Sequence, residues 1–272
     1  MVELTFLGTG TSNGIPVIGC DCAVCHSHDP RDRRTRTSVR LRQGATTLLI
    51  DTAPELRGQM LASDTRRVDA VLYTHAHADH TAGLDDLRRF CEMQQQHIPV
   101  FATPATGSDL RARFAYAFAD LFPFYGATPD LTLHEIDRPF AVANIAVTPV
   151  PVLHASLPIV GFRVGALAYV TDAKTVPAAS MPLLRDLDIL VLNALRQRPH
   201  PAHLSLDEAL AIVAELRPRR AYLTHIAHEM GRHVEVEPAL PAGVALAYDG
   251  LSVTVCDDRV DADTESDRTI GR

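Results

Sequence analysis

The chain has 272 residues, 46% of them hydrophobic, with 26 basic and 33 acidic side chains and a net charge of −7. That is enough apolar material for one large buried core, and the acidic balance argues against a general polyanion binder while leaving a small phosphorylated substrate open. No apolar run approaches the roughly 18 residues of a membrane span, and Met1 to Gly8 reads as a strand and not a signal peptide, so the cytoplasm is the expected compartment.

In chain order, Val2 to Leu7 is expected to be a strand. It runs into Gly8-Thr-Gly10-Thr-Ser-Asn-Gly14, which lacks the Lys and Ser/Thr of a P-loop and reads as a tight turn. Cys20, Cys22 and Cys25 crowd into six residues. In a reducing compartment such a cluster points to a metal site rather than a disulfide framework, whereas Cys91 and Cys256 read as small buried hydrophobes. Six arginines between Arg31 and Arg42 read as a solvated run.

Thr46 to Ile50 is a buried strand ending at Asp51, and Pro54 to Ala62 has helical spacing. A strand over 69–73 leads into Thr74-His75-Ala76-His77-Ala78-Asp79-His80, and helical spacing follows over 81–90. A strand over 99–103 and a helix over 106–121 come next; the aromatics Phe114, Tyr116, Phe118, Phe122, Phe124 and Tyr125 at its end read as core packing. The middle turns strand-rich, over 131–136, 142–150, 159–164 and 167–170. His154 and Asp172 fall just beyond strand ends. Strand 188–192 leads into a loop holding His200 and His203, then Ser205 to Glu208 forms a capping box for helix 206–216. Strand 220–224 delivers His225 and His228, strands near 244–248 and 251–256 close a single domain over 1–256, and the acidic tail 257–272 is expected to be disordered. Strands followed by helices in each half predict an α/β fold, an αββα four-layer sandwich.

Three imidazoles and a carboxylate within residues 75–80 cannot serve a core, because buried polar groups need partners. On a tight loop they suit two adjacent metal ions. Taken with the later His154, Asp172 and His225, the motif His-X-His-X-Asp-His resembles the metallo-β-lactamase superfamily over nearly the whole chain. The resemblance implies that His75, His77 and His154 hold one metal, Asp79, His80 and His225 the other, with Asp172 bridging and Asp51 steadying the histidine loop. Two such ions share a hydroxide at neutral pH and accept the growing charge of a phosphoryl group, which suits phosphodiester hydrolysis. His77 stands where flavin-linked di-iron members carry Glu, and Asp172 where true β-lactamases usually carry Cys.

Gly-Cys20-Asp-Cys22-Ala-Val-Cys25 after Leu-Gly8-Thr-Gly10 is similar to the PhnP-like phosphodiesterases. That resemblance implies a structural Zn²⁺ on Cys20, Cys22, Cys25 and His228, with His26 or His28 as the alternative fourth ligand. It also implies catalysis by Asp79 and by His203 as proton donor to the leaving oxygen; His200 reads as a solvated loop residue. The expected activity is a metal-dependent phosphodiesterase on small substrates, cyclic ribose phosphates among them, with Zn²⁺ or Mn²⁺ in the active site, no membrane or nucleic-acid partner and a homodimer among the expected states. Hydrolysis of a carbonyl ester, lactone or thioester is the enzymatic alternative. A PqqB-like accessory or carrier protein is the non-enzymatic one.

Overall fold

The structure, a computed structural model, describes residues 1–119 and 127–255. In the first half run β1 (Val2–Gly8), β2 (Ser38–Gln43), β3 (Thr46–Ile50), α1 (Leu56–Ala62), β4 (Ala70–Leu72), α2 (Ala78–Thr81), α3 (Arg88–Gln94), β5 (Ile98–Ala102), α4 (Pro104–Arg113) and β6 (Leu131–Glu135). The second half adds β7 (Phe140–Val142), β8 (Ile145–His154), β9 (Leu157–Val164), β10 (Leu167–Val170), β11 (Ile189–Asn193), α5 (Leu206–Leu216), β12 (Arg220–Thr224), α6 (His233–Val236), β13 (Val244–Leu246) and β14 (Ser252–Val255).

The strands form two seven-stranded sheets, ordered β14-β1-β2-β3-β4-β5-β6 and β13-β12-β11-β10-β9-β8-β7. In each, an antiparallel part gives way to a parallel part, β3 to β6 in one and β10 to β13 in the other. The layering follows from side-chain alternation. In β3, Leu48 and Ile50 point into a core shared with Phe162, Tyr169, Ile189 and Val191 of the second sheet. Leu49 between them faces outward, where Leu56, Met60, Leu87, Phe90 and Leu110 from the flanking helical segments cover the first sheet. Leu190 and Leu192 of β11 likewise face Ala209, Val213 and Leu216 of α5. This is the αββα sandwich the element order predicts.

Two local expectations about helices are corrected. The helical pattern over 81–90 is split: the Gly83 N–H donates to the Thr52 carbonyl at 3.0 Å, and Gly83 packs so close to that loop that a Cβ there would lie 2.0 Å from the Ala53 carbonyl oxygen; α2 precedes it and α3 follows. The helix expected over 106–121 ends at Arg113, where Phe114 leaves helical geometry and a 3₁₀ turn over Ala115–Phe118 sets Phe114 and Phe118 against the outer core. Tyr116, expected in the core with them, is exposed instead and donates its hydroxyl to Asp85; residues 120–126, with Phe122, Phe124 and Tyr125, lie outside the described residues, as do Cys256 and the tail.

The arginine-rich run contains a strand that its charges conceal. Val39 and Leu41 of β2 are buried, Arg40 bonds Thr65 and Thr5, and Arg36 pairs with Glu55. Arg34 is itself buried, held by Thr9 and the Ala247 carbonyl. Cys91 is buried as expected. The glycine-rich segment is a turn, its Gly10 and Thr11 N–H groups donating to Thr35 and Ile226 carbonyls.

Candidate metal centre

The parallel strands of both sheets end at one edge of the sandwich, and the polar residues beyond them converge there, as open α/β sheets place their sites. Asp51 follows β3, the histidine loop follows β4, Asp172 follows β10 and His225 follows β12. Asp51, Asp172 and His225 each leave the strand with positive φ, at 63°, 58° and 55°. Non-glycine residues hold this left-handed conformation only where surrounding contacts enforce it. All three are buried.

Hydrogen bonds fix how the imidazoles face. Asp51 Oδ1 accepts from the Thr74 N–H at 2.9 Å and Oδ2 from the Thr74 hydroxyl at 2.8 Å. Since that hydroxyl's proton is committed to Asp51, its oxygen accepts from His75 Nδ1 at 3.0 Å. His80 Nδ1 donates to Asp51 Oδ2 at 2.7 Å, and His154 Nδ1 donates to the Ala202 carbonyl at 2.9 Å. In each ring the outer nitrogen holds the proton, leaving the Nε2 lone pair free to bind metal. The Nε2 atoms of His75 and His80 are buried without a hydrogen-bond partner. Divalent metal ligation satisfies such orphans.

Asp172 divides its carboxylate. Oδ1 lies 3.3 Å from His80 Nε2 and 3.2 Å from His225 Nδ1, whereas Oδ2 lies 4.0 Å from His75 Nε2 and 3.9 Å from His203 Nδ1. On the Oδ1 side, Asp79, His80, Asp172 and His225 bring donor atoms within 4.8 Å of one another. On the other side the rings of His75, His77 and His154 lie 4.6 to 5.8 Å apart. The His203 donor atom groups with those of His154 and Asp172 within 4.8 Å. His225 is braced by the Thr37 and Thr11 hydroxyls at 3.2 and 3.1 Å.

Charge follows geometry. Burial alone would raise the Asp172 and Asp79 carboxyls, but the histidines beside them hold both well below the usual carboxylate range. Burial pushes the His75, His77 and His225 rings down. It also pushes His203 down to about 3, with the neighbouring His225 ring adding to the effect.

The cysteine cluster forms a second donor set. His228 Nδ1 lies 3.2, 3.3 and 3.5 Å from the sulfurs of Cys20, Cys22 and Cys25, near the edge of about 3.6 Å that a tetrahedron of zinc–sulfur and zinc–nitrogen bonds requires. Backbone N–H groups of Val17 and Cys25 donate to Cys25 and Cys22 sulfurs. His26 is instead exposed and faces Asp21 at 3.5 Å, and His28 is exposed.

Several residues the sequence did not single out hold the site. Arg113 on α4 reaches across the histidine loop to the Thr81 hydroxyl at 3.1 Å and to the Ala76 carbonyl. Thr74, Thr11 and Thr37 sit behind the rings. Nothing in residue type distinguishes these threonines; Thr74 stands beside the motif and Thr11 in the glycine-rich turn, but Thr37 lies in the arginine-rich run with no local clue.

A model of the β-lactamase superfamily domain matches residues 46–226. The crystal structure of a diphosphatase from the PhnP family is 41% identical, covers 94% of this chain and 98% of its own, and superposes with a TM-score of 0.87. The chain belongs to the PhnP family of the metallo-β-lactamase superfamily. Among curated proteins, this PhnP-family chain is 38% identical over 253 residues to an octanoyltransferase of Porphyromonas gingivalis, covering 92% of this chain and 51% of that protein. A ribonuclease Z of a Mycobacterium species is 29% identical over 201 residues, 68% of this chain and 65% of its own. The chain thus spans about half to two thirds of the length of these curated relatives. Zinc-bound PqqB from Methylobacterium extorquens, 20% identical with a TM-score of 0.74, shares the fold. Among the described residues no helix is long and apolar enough to cross a membrane.

Proposed function

We propose that this metallo-β-lactamase-fold hydrolase cleaves phosphodiester or diphosphate bonds in small substrates, with a two-metal centre of Zn²⁺ or Mn²⁺ and a structural Zn²⁺ on Cys20, Cys22, Cys25 and His228. The observation that carries the reading is the divided Asp172 carboxylate, with one oxygen toward His80 and His225 and the other toward His75 and His203. The PhnP-family diphosphatase supports phosphoric substrates.

His75, His77 and His154 would hold one ion, Asp79, His80 and His225 the other, and Asp172 would contact both. When bound, such ions supply hydroxide at neutral pH and fixed positive charge for phosphoryl oxygens. Asp51 keeps the His75 and His80 rings turned inward. Burial and the neighbouring His225 ring favour the neutral form of His203. An anionic phosphoryl group beside the ring favours its imidazolium instead, which would donate the proton a departing alkoxide needs. His200 stands beside it, its ring 5.2 Å from that of His203.

A second reading is hydrolysis of an acyl ester or thioester at the same centre, raised by the octanoyltransferase relative, of which this chain spans about half. The deciding experiment counts Zn and Mn per chain in protein purified without added metal. It then assays a cyclic phosphodiester, an aryl phosphodiester, a diphosphate ester and an acyl thioester with each metal restored. About three metals per chain with metal-dependent cleavage of the phosphoric substrates supports the proposal. Cleavage of the thioester alone supports the second reading, and one tightly held zinc with no turnover supports an accessory or carrier role.

A further inference from the structure

The last residue of β11, Asn193, is fully buried between two strand ends that carry the site. Its backbone pairs with Thr224 of β12, the residue before His225. Its side chain points the other way and grips a single residue beyond β10, bonding both the N–H and the C=O of Ala173. The Ala173 N–H donates to Asn193 Oδ1 at 2.7 Å, and Asn193 Nδ2 donates to the Ala173 carbonyl at 2.9 Å. A backbone N–H and C=O on one residue leave no freedom in which way the amide lies.

Ala173 directly follows Asp172, whose φ of 58° is unfavourable for a residue with a Cβ. The same Ala173 carbonyl also accepts the Leu204 N–H at 2.9 Å, and Leu204 directly follows His203. One buried carbonyl therefore joins the segment carrying the shared carboxylate to the segment carrying the proton donor. The amide of Asn193 holds that carbonyl.

We infer that Asn193 is a positioning residue that locks Asp172 in its left-handed geometry and sets His203 against it through the shared Ala173 carbonyl. Asn193 touches neither substrate nor metal in this arrangement. It acts on the metal pair by holding Asp172 and on leaving-group departure by holding the Leu204 backbone; the latter half rests on the reading of His203 given above.

The test compares the full chain with Asn193→Leu, which lacks both hydrogen bonds at similar volume, and Asn193→Ser, which leaves room for water. Three quantities are read: melting of the metal-free protein, the visible spectrum and stoichiometry of the Co²⁺-loaded protein, and turnover of a poor-leaving-group phosphodiester with and without His203→Ala. The expected result is a folded metal-free variant with an altered Co²⁺ spectrum and turnover reduced by about 10–100-fold, the usual effect of losing an outer support. In the His203→Ala background the same substitution costs less than that factor, because only the part exerted through Asp172 remains. An unchanged Co²⁺ spectrum in the folded variants, or losses that simply multiply with His203→Ala, overturns the inference. Should Asn193→Leu fail to fold, Asn193→Ser with a wild-type spectrum overturns it equally. If the wild-type protein hydrolyses no phosphoric substrate, the proposed function fails, while the Co²⁺ spectrum still decides whether Asn193 holds Asp172.

Discussion

Asp51 Oδ2 lies 2.7 Å from His80 Nδ1, and neither side chain reaches solvent. The same carboxylate accepts both donors of Thr74, whose hydroxyl in turn orients His75. One buried anion thus sets two imidazoles of the motif. Asp51→Asn keeps the volume but must offer an N–H to at least one of these groups, so metal affinity should drop by about 10–100-fold. Competition against a graded chelator measures this; an unchanged affinity would show that the rings orient themselves.

His203→Ala should slow substrates with poor leaving groups by about 10²–10⁴-fold, the range for a positioned proton donor. An activated aryl phosphodiester, whose leaving group departs without a proton, should lose far less. Equal loss on both substrates removes the proton-donor role and points to His203 as part of the ligand shell, a placement its 3.9 Å distance to Asp172 Oδ2 makes worth distinguishing.

Cys22→Ala should remove one zinc per chain and lower the melting temperature. Structural zinc contributes folding free energy, and a loss of about 3 kcal/mol corresponds to roughly 10 °C at this chain length. Metal analysis beside calorimetry tests it. Full zinc content with wild-type melting excludes Cys22 as a ligand.

Asp188, just before β11, pairs with Arg219 and, at 3.0 Å, with Arg220, and the Arg219 hydrogen bond followed by that of Arg220 holds its carboxyl below the usual range against the effect of burial. A carboxyl depressed on folding stabilises the protein above its unfolded value of about 4 and loses that contribution as pH falls through the lower folded value. Urea unfolding of the wild type and Asp188→Asn should therefore differ by about 1 kcal/mol at pH 7, modest because Arg219 is largely exposed. The gap should shrink below about pH 4 and close at lower pH. A gap constant with pH would make the difference one of packing.

Much of the layering was legible because hydrophobic alternation and capping are local signals. Helix 206–216 and strand 220–224 stand where their residues predict them, and Ser205 with Glu208 closes the capping box. Gly83 was not readable as a helix break, since its effect arises from Ala53, thirty residues earlier. β2 was hidden because its outward face carries arginines that bond to other segments, such as Arg40 to Thr65.

By itself, the sequence determined the donor inventory: the spacing of His75, His77, Asp79 and His80, the crowding of Cys20, Cys22 and Cys25, and the single residues placed after apolar strands. Those are properties of chain order and side-chain chemistry. Only the tertiary structure decided that Asp172 turns its two oxygens to different histidines, that His228 and not His26 meets the thiols, and that Asn193 grips the residue beyond Asp172. Each depends on strand ends distant in sequence meeting at one edge of the sandwich, and on left-handed backbone at Asp51, Asp172 and His225, a conformation uncommon for residues with a Cβ. Burial and long-range hydrogen bonds hold those conformations, and such partners exist only once both sheets have packed.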